Sequence, residues 1–493
     1  MIESDHVIGL DLGSHLCSFA IWNAEKDAID VIADDTGSRV IPTTIAFRGD
    51  EVLIGQAAVT QQHKNGANTF EDLRSLLFRS REVDTVSVPV LEKELPISEL
   101  LTHFFRNIHN QVKEQVGSVV RDCCLSIPFI EDEEMKGKLI AAAQAGGIRV
   151  KSIIDDSAAI LLAYGLDDSN IVDSNVFVLD VGWTKTSISI YAIRGGVFYL
   201  IGEATSYDVS GGIFVNLLAE HCAKDFMRKA KFSCADNVRS MLRLKKECEI
   251  AVKSLSTGAE TTVTVDSLCE GIDYSTRISR ARFEDLCSIP FMRLRSNISN
   301  LMSSLSLTAD GCDYVCIGGG SSTVPRVLSI MKDLFPGAAF PKLPRLELAE
   351  ALCVGAAMHG RNLKENGLLA EMQKLKVPDM MCTNLCIAVG TADMGPFTSL
   401  VPRNVPLPYQ SSIWLSTIHT HAYFQIVAYA SDELGMDEVP KKLGDIVFPV
   451  EGAAENDPVL LRLVASASLD GNVEITVYID SNDESVFNVT LPV

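Results

Sequence analysis

A single pattern, an apolar run followed by Asp, an apolar residue and Gly, occurs twice in this chain. The first copy is VIGLDLGS at residues 7–14, and the second is VFVLDVGW at residues 176–183. A further β-rich run follows each copy, at residues 17–22 and 187–191. Apolar runs bounded by Gly are typical of buried strands, and Asp-x-Gly between two of them predicts a tight hairpin. Two such hairpins predict a duplicated fold whose turns face each other across a cleft.

The two turns and a third Gly-rich segment favour a phosphate-binding cleft. Hairpin turns can present backbone N–H groups to phosphates and carboxylates to a cation. Two ordinary hairpins are the alternative, which one copy alone would favour. However, YVCI at 314–317 leads into GGGSS at 318–322, and Pro325 opens a predicted helix. Third in this order, that segment fits an adenosine-binding loop.

Bulk properties describe an ordinary globular chain. Its 493 residues are 47% hydrophobic and 22% charged, which predicts about two to four domains. The formal net charge of −21 disfavours nucleic acid as a partner, and the small basic clusters at 228–231 and 243–246 are interpreted as solvated helix faces. No apolar run is long enough to cross a bilayer, so no membrane contact is expected.

The cysteines indicate a reducing compartment. There are 13, an odd and scattered number, and the spacings of Cys312 with Cys316 and of Cys382 with Cys386 match no zinc pattern. No apolar signal segment is visible at the N-terminus. We therefore predict a cytoplasmic protein with buried free thiols.

Up to about residue 365, predicted strands alternate with predicted helices, as in an α/β architecture. The pattern predicts helices at residues 98–116, 132–145, 153–165 and 237–256, and strands at residues 123–128, 260–265 and 271–279.

Beyond about residue 383 the pattern predicts strands only. Residues 412–430 alternate like paired strands. Asp470-Gly471 predicts a hairpin between strands at 460–467 and 473–479, and a further strand is predicted at 486–491. This region is predicted to be a separate all-β module.

Seven segments together resemble the heat shock protein 70 family across nearly the whole chain. They are IGLDLGS (8–14), DDTGSRVIPTTIAF (34–47), LIGQAA (53–58), AAILLAYGLD (158–167), VDSLCEGIDYSTRISRARFEDL (265–286), GGGSSTVPRV (318–327) and EALCVGAA (350–357). LVPRNVPLP at 400–408 resembles the start of the family's β-sandwich substrate-binding domain.

The resemblance implies an α/β actin-like ATPase fold of two duplicated lobes, followed by a C-terminal all-β sandwich. The implied domains are a nucleotide-binding domain at 1–373, a linker at 374–383 and a truncated sandwich at 384–493. The helical lid of the family would follow residue 493, so this chain is expected to lack it and to clamp clients weakly.

The resemblance also implies a site for ATP and Mg²⁺. Asp11 and Asp180 match the two aspartates that organise water around Mg²⁺, and Glu249 and Ser256 match contacts to the adenosine. The residues expected to bind the cofactor are Asp11, Gly13, Ser14, His15, Asp180, Gly182, Thr184, Lys185, Gly211, Gly212, Glu249, Ser256, Gly319, Gly320 and Ser321.

The phosphate loops depart from the family pattern. Trp183 replaces a Gly, which puts an indole where backbone would approach phosphate, and Lys185 replaces a Thr. Ser187 replaces a metal-site Asp. Arg74 aligns with the family's catalytic Lys, and a surface salt bridge is the equally weighted alternative for it. We therefore assign no catalytic residue and expect ATP to bind with low affinity or as a structural ligand.

The parts that relay nucleotide state depart as well. A Pro of the family is Ser157 here, and the linker at 377–382 reads VPDMMC. In the adenosine pocket, Val252 replaces a Lys and Thr323 replaces an Arg. Each change alone could be drift, but together they remove most of the apparatus for hydrolysis and relay.

This combination resembles the regulatory subunit of the ribosome-associated complex. The resemblance implies a degenerate ATPase that acts as a co-chaperone. Its implied partners are a J-domain protein, an active heat shock protein 70 chaperone and, indirectly, the ribosome. The alternative is a slow but active ATP-dependent chaperone that cycles on peptide.

Overall fold

The computed structural model describes most of the chain up to residue 365 and eight strands beyond it. The described ranges are 6–23, 26, 28–34, 37–79, 85–128, 133–168, 174–194, 196–305, 307–343 and 346–365, and then the strands between 384 and 492. Contacts divide the chain into two units, Met1–Phe198 with Gly202–Gln373, and Tyr199–Ile201 with Lys374–Val493. The predicted linker at 374–383 lies outside the described residues.

The first repeated pattern lies in a six-stranded sheet. Its strands are β1 (Val7–Leu12), β2 (Leu16–Asn23), β3 (Ala28–Val31), β4 (Ile41–Pro42), β10 (Asp122–Ile127) and β11 (Arg149–Asp155). The order is β11-β10-β1-β2-β3, and β4 pairs with β2. β1 is antiparallel to β2 and parallel to β10, which is parallel to β11.

The second pattern lies in a four-stranded sheet with the same local arrangement. Its strands are β12 (Ser174–Val181), β13 (Thr186–Arg194), β14 (Val197–Ser206) and β17 (Tyr314–Gly318), in the order β14-β13-β12-β17. β12 is antiparallel to β13 and parallel to β17. Both predicted hairpins are therefore confirmed, and each Asp-x-Gly lies where its first strand ends.

Three small sheets complete the β-structure of the first unit. β5 (Thr44–Arg48), β6 (Glu51–Ile54) and β7 (Thr69–Glu71) form one, β8 (Thr85–Val88) pairs with β9 (Lys93–Pro96), and β15 (Glu260–Cys269) pairs with β16 (Ile272–Ser279).

The described helices all belong to the first unit. They are α1 (Gln56–Gln61), α2 (Leu73–Arg79), α3 (Ile97–Val116), α4 (Glu133–Ala145), α5 (Asp156–Ala163), α6 (Gly211–Ala230), α7 (Val238–Thr257), α8 (Arg280–Leu286), α9 (Ser288–Ser304), α10 (Pro325–Leu334) and α11 (Ala351–Glu365). None of them is long and apolar enough to span a membrane. The cysteines with described side chains are free and buried.

The helix predicted at 153–165 is wrong at its start. Residues up to Asp155 belong to β11, and α5 begins at Asp156. The carboxylate of Asp155 accepts a hydrogen bond from the Ser157 backbone N–H at 2.8 Å, which caps the helix. Ile153 and Ile154 pair with β10 instead, because β-branched residues suit a strand beside a parallel neighbour.

Beyond residue 383 the described elements are all strands. They are β18 (Asn384–Val389), β19 (Thr398–Val401), β20 (Tyr409–Ile418), β21 (Tyr423–Ser431), β22 (Lys441–Pro449), β23 (Pro458–Ala467), β24 (Asn472–Ile479) and β25 (Ser485–Pro492). They form two four-stranded sheets, β19-β18-β21-β22 and β20-β23-β24-β25.

One predicted pairing in this region is confirmed and one is wrong. β23 and β24 are antiparallel partners, as Asp470-Gly471 predicts. By contrast, the alternating run at 412–430 is divided between β20 and β21, which lie in different sheets. Alternation marks strands that are buried on one face, and it carries no information on which strand is the neighbour.

Helices α5 and α11 pack against each other, and α11 also packs on β1, β2 and β10. The close approach requires Gly355, because a Cβ there would lie 1.9 Å from the Ala159 carbonyl oxygen. No rotamer change can relieve a clash between backbones, so this glycine sets the helix spacing.

We expect Gly355→Ala to destabilise the first unit by about 3 kcal/mol or more, because the helices must separate. Gly137→Ala is the matched control, since a Cβ at this helical glycine meets nothing within 4 Å. It should stabilise by up to about 1 kcal/mol through helix propensity. Urea unfolding of both variants measures the difference, and a loss below about 1 kcal/mol for Gly355→Ala would contradict the packing argument.

Candidate functional site

Polar residues meet at the carboxyl ends of the parallel strands. Asp11 of β1 lies opposite Ser126 of β10, and Asp156 follows β11 directly. In the second sheet, Asp180 of β12 lies opposite Gly318 of β17. The carboxyl ends of parallel strands are the usual place for ligands in α/β proteins, so the duplicated topology brings these residues to one cleft.

Three aspartates in the cleft are buried together with an arginine. Asp11, Asp156, Asp180 and Arg74 are each at most 9% exposed. Arg74 Nη1 donates a hydrogen bond to the Leu12 carbonyl oxygen at 2.8 Å. The surface salt bridge considered for Arg74 is therefore wrong, and its guanidinium lies inside the carboxylate cluster.

Burial raises the pKa of every carboxyl group in this cluster. The pKa of Asp11 lies well above its usual value through burial and the neighbouring Asp156, although Arg74 opposes the shift. Burial raises the pKa of Asp156 to about 7 and that of Asp180 to about 6. Burial also lowers the pKa of Lys185, whose ammonium is attracted to Asp156 and Asp180. The site thus contains two cations of its own.

Two carboxylate oxygens in the cleft fit a hydrated cation. Asp11 Oδ1 and Asp180 Oδ1 are buried and have no hydrogen-bond partner in the structure. Gly319 adopts a φ of +82°, and a Cβ there would lie 2.1 Å from Asp180 Oδ1. Among the described residues, no three potential ligands form a metal-binding group. The fit is therefore to Mg²⁺ that keeps most of its waters and its phosphate ligands.

Thr43 holds the first phosphate loop in place. Its hydroxyl donates to the Gly13 carbonyl oxygen at 3.0 Å, and its backbone N–H donates to the His15 carbonyl oxygen at 2.8 Å. Ser14 accepts a hydrogen bond from the Thr184 hydroxyl at 3.1 Å. The two phosphate loops therefore touch directly.

The second phosphate loop is bonded to the start of α6. Gly182 N–H donates to the Lys185 carbonyl oxygen at 2.9 Å, and the N–H groups of Gly211 and Gly212 donate to the carbonyls of Gly182 and Trp183 at 2.9 Å. Amides at a helix start are natural phosphate donors, but these two already have partners.

His15 joins the two loops to helix α7. Its ring stacks on the Trp183 indole with centroids 3.8 Å apart and planes at 11°. Its Nε2 lies 2.9 Å from Glu249 Oε1. The indole predicted to face phosphate thus faces the imidazole of the opposite loop.

The third loop and α7 hold the remaining predicted residues. Gly320 and Ser321 lie in a short 3-10 helix after β17. A Cβ on Gly211 would lie 2.1 Å from Ser321 Oγ, so these loops are in close contact. Ser256 donates to the Val252 carbonyl oxygen of its own helix at 3.2 Å, so its proton is directed along α7.

Sequence reasoning left Asp156, Ser126 and Thr43 out of the site. The hydroxyl of Ser126 donates to Asp156 Oδ1 at 2.8 Å, which places both residues in the carboxylate cluster. The signal available in the sequence was their position at the end of predicted strands, where α/β proteins hold ligands.

The whole first unit and much of the second match one protein family. The family profile described as Hsp70 protein matches residues 7–457. The chain belongs to the heat shock protein 70 family. Membership implies a chaperone with an actin-like ATPase fold, and proteins of this family bind ATP with Mg²⁺.

Curated relatives match along nearly their full length. The chain is 30% identical to "Heat shock 70 kDa protein 14" of Homo sapiens and 31% identical to that of Macaca fascicularis, over 95% of this chain and 96% of each relative. It is 28% identical to "Heat shock 70 kDa protein 2" of Paracoccidioides lutzii, over 83% of this chain and 65% of that relative.

We expect Asp156→Asn to stabilise the protein increasingly as pH rises. The carboxyl has a pKa of about 7 when folded against 3.8 ordinarily, so the folded state binds more protons between these values. The stability of the wild type is greatest below pH 3.8 and falls as pH rises through 7. The amide does not ionise, and its oxygen can still accept from Ser126.

The gain should reach a few kcal/mol, at roughly 1.4 kcal/mol for each pH unit between the two pKa values. Urea unfolding between pH 4.5 and 8 measures it. Asp236→Asn, at an exposed position, is the control and should not alter the pH profile. Parallel profiles for Asp156→Asn and the wild type would contradict the raised pKa.

Proposed function

We propose that this chain is an atypical heat shock protein 70 co-chaperone that binds ATP without appreciable hydrolysis. It acts in the cytoplasm with a J-domain partner and an active chaperone of its own family, and it assists nascent chains at the ribosome. The observation that carries the proposal is the second phosphate loop, which holds Trp183 and Lys185 beside the carboxylates.

The charge pattern of that loop supports binding without hydrolysis. Ser187 pairs directly with Asp180 across the hairpin, so an uncharged hydroxyl stands where the family pattern has a second carboxylate. The ammonium of Lys185 instead lies among the carboxylates. Phosphoryl transfer depends on positioned charge, and this loop has lost one anion and gained one cation.

The remaining groups suffice to hold a nucleotide. Asp11 and Asp180 would hold the hydration shell of Mg²⁺ through their unpartnered oxygens. The metal supplies charge neutralisation at the phosphates when it is bound. Arg74 is engaged by the Leu12 carbonyl, so its planar guanidinium is oriented by the scaffold and is poorly placed to follow a transferring phosphoryl group.

Electrostatics support an indirect contact with the ribosome. The net charge of −21 opposes direct binding to RNA phosphates. A basic J-domain partner would supply that contact, and this chain would bind the partner rather than the RNA.

A slow but active ATPase chaperone is the second candidate. The observation in its favour is the pair of unpartnered oxygens on Asp11 and Asp180, which is the arrangement that a working Mg²⁺ site requires. The two candidates differ in the fate of bound ATP.

We expect full-length protein to retain ATP unhydrolysed. In a single-turnover experiment with labelled ATP, the bound nucleotide should be recovered as ATP after hours, with or without a J-domain. Binding should also raise the free energy of unfolding by about 2–3 kcal/mol at a hundredfold excess over Kd. Hydrolysis that a J-domain accelerates would favour the active chaperone instead.

We expect the C-terminal unit to dock a protein partner. β20 and β25 are the edges of one sheet and β19 and β22 of the other, and an exposed edge can add an extended segment as a further strand. The linker sequence at 377–382 lacks the family's acidic-apolar signature, so such binding should not depend on nucleotide.

Deletion of residues 383–493 should abolish copurification of the partner while nucleotide binding by the lobes persists. The nucleotide measurement is the control for folding. Full retention of the partner by the truncated chain would place the docking site on the lobes. A partner released by ATP would contradict the absence of nucleotide coupling.

A further inference from the structure

We infer that His15 is an internal competitor of nucleotide, because it occupies Glu249 and Trp183 in the cleft where the ligand is expected. This inference rests on the proposed binding of ATP. It assigns to His15 a role opposite to that of a cofactor ligand.

The first contact engages the acidic group predicted to bind ribose. Glu249 lies on α7, and its Oε1 is 2.9 Å from His15 Nε2. The two side chains are 23% and 40% exposed for His15 and Glu249, so both border the open cleft. A ribose hydroxyl that bonds Glu249 must first displace the imidazole.

The second contact covers the phosphate loop. The imidazole and the Trp183 indole are stacked at 3.8 Å with an angle of 11°, which is close contact over the ring faces. The carbonyl of Trp183 accepts the Gly212 N–H at 2.9 Å. The ring and the loop backbone are thus both satisfied by the protein itself.

The surrounding bonds hold His15 in this position. Thr43 bonds both Gly13 and His15 from behind, and Ser14 is bonded to Thr184 of the opposite loop. The loops therefore meet across the cleft through contacts between residues of the chain alone. Nucleotide binding must break some of these contacts, so the observed affinity is lowered by their stability.

The test measures ADP affinity of the full chain by calorimetry. We expect His15→Ala to bind ADP about tenfold more tightly than the wild type, since tenfold is the affinity equivalent of about 1.4 kcal/mol. His15→Phe retains an aromatic ring over Trp183 but cannot bond Glu249, and it should gain about threefold, as a partly exposed ion pair contributes little. Glu247→Gln, on the same helix, is the matched control and should bind like the wild type.

Thermal unfolding provides a readout that a purely structural role would not produce. His15→Ala should melt below the wild type without nucleotide, and saturating ADP should remove that difference because ADP replaces the lost contacts. Glu249→Gln should weaken ADP binding more strongly in the His15→Ala background, where no imidazole competes for the carboxylate.

The outcomes separate this inference from the proposal beneath it. Equal or weaker binding by His15→Ala, with the wild type still binding, overturns the competition and leaves the proposed ATP binding intact. If none of the variants nor the wild type binds ADP or Mg-ATP, the proposed nucleotide binding fails and the competition fails with it.

Discussion

The cleft depends on burying three carboxyl groups at the ends of strands from two sheets. Asp11, Asp156 and Asp180 are all buried, and burial alone shifts each of them toward the protonated form. Arg74 and Lys185 offset part of this cost from within the cluster. Helices α5 and α11 contact strands of both sheets, so their spacing determines how close the acids come. An arrangement that works against stability in this way is typical of a functional site.

The unusual residues of the phosphate loops form one connected set. Trp183 without a ring partner would expose an indole in the cleft, and His15 provides that partner. Lys185 without nearby acids would bury an unpaired ammonium, and Asp156 and Asp180 are its neighbours. The substitutions therefore compensate one another. Such compensation is what selection for a stable cleft would produce in a chain released from the demand for turnover.

Local patterns predicted much of the fold and failed at identifiable points. Both hairpins and the helices α3 and α4 follow from apolar spacing and turn residues. The helix predicted at 153–165 failed because a short apolar run suits a buried strand or a helix equally, and the parallel neighbour β10 decided for the strand. The run at 412–430 failed because alternation does not identify the partner strand.

The sequence by itself determined the family, the two hairpins and the aspartates at their turns, because these depend on residues that are close in the chain. Only the tertiary structure decided that Arg74 is buried among the acids and that His15 meets Glu249, 234 residues away. Those contacts exist because two separately built sheets converge on one cleft. No local propensity encodes which side chains meet there, since that follows from the packing of the helices between the sheets.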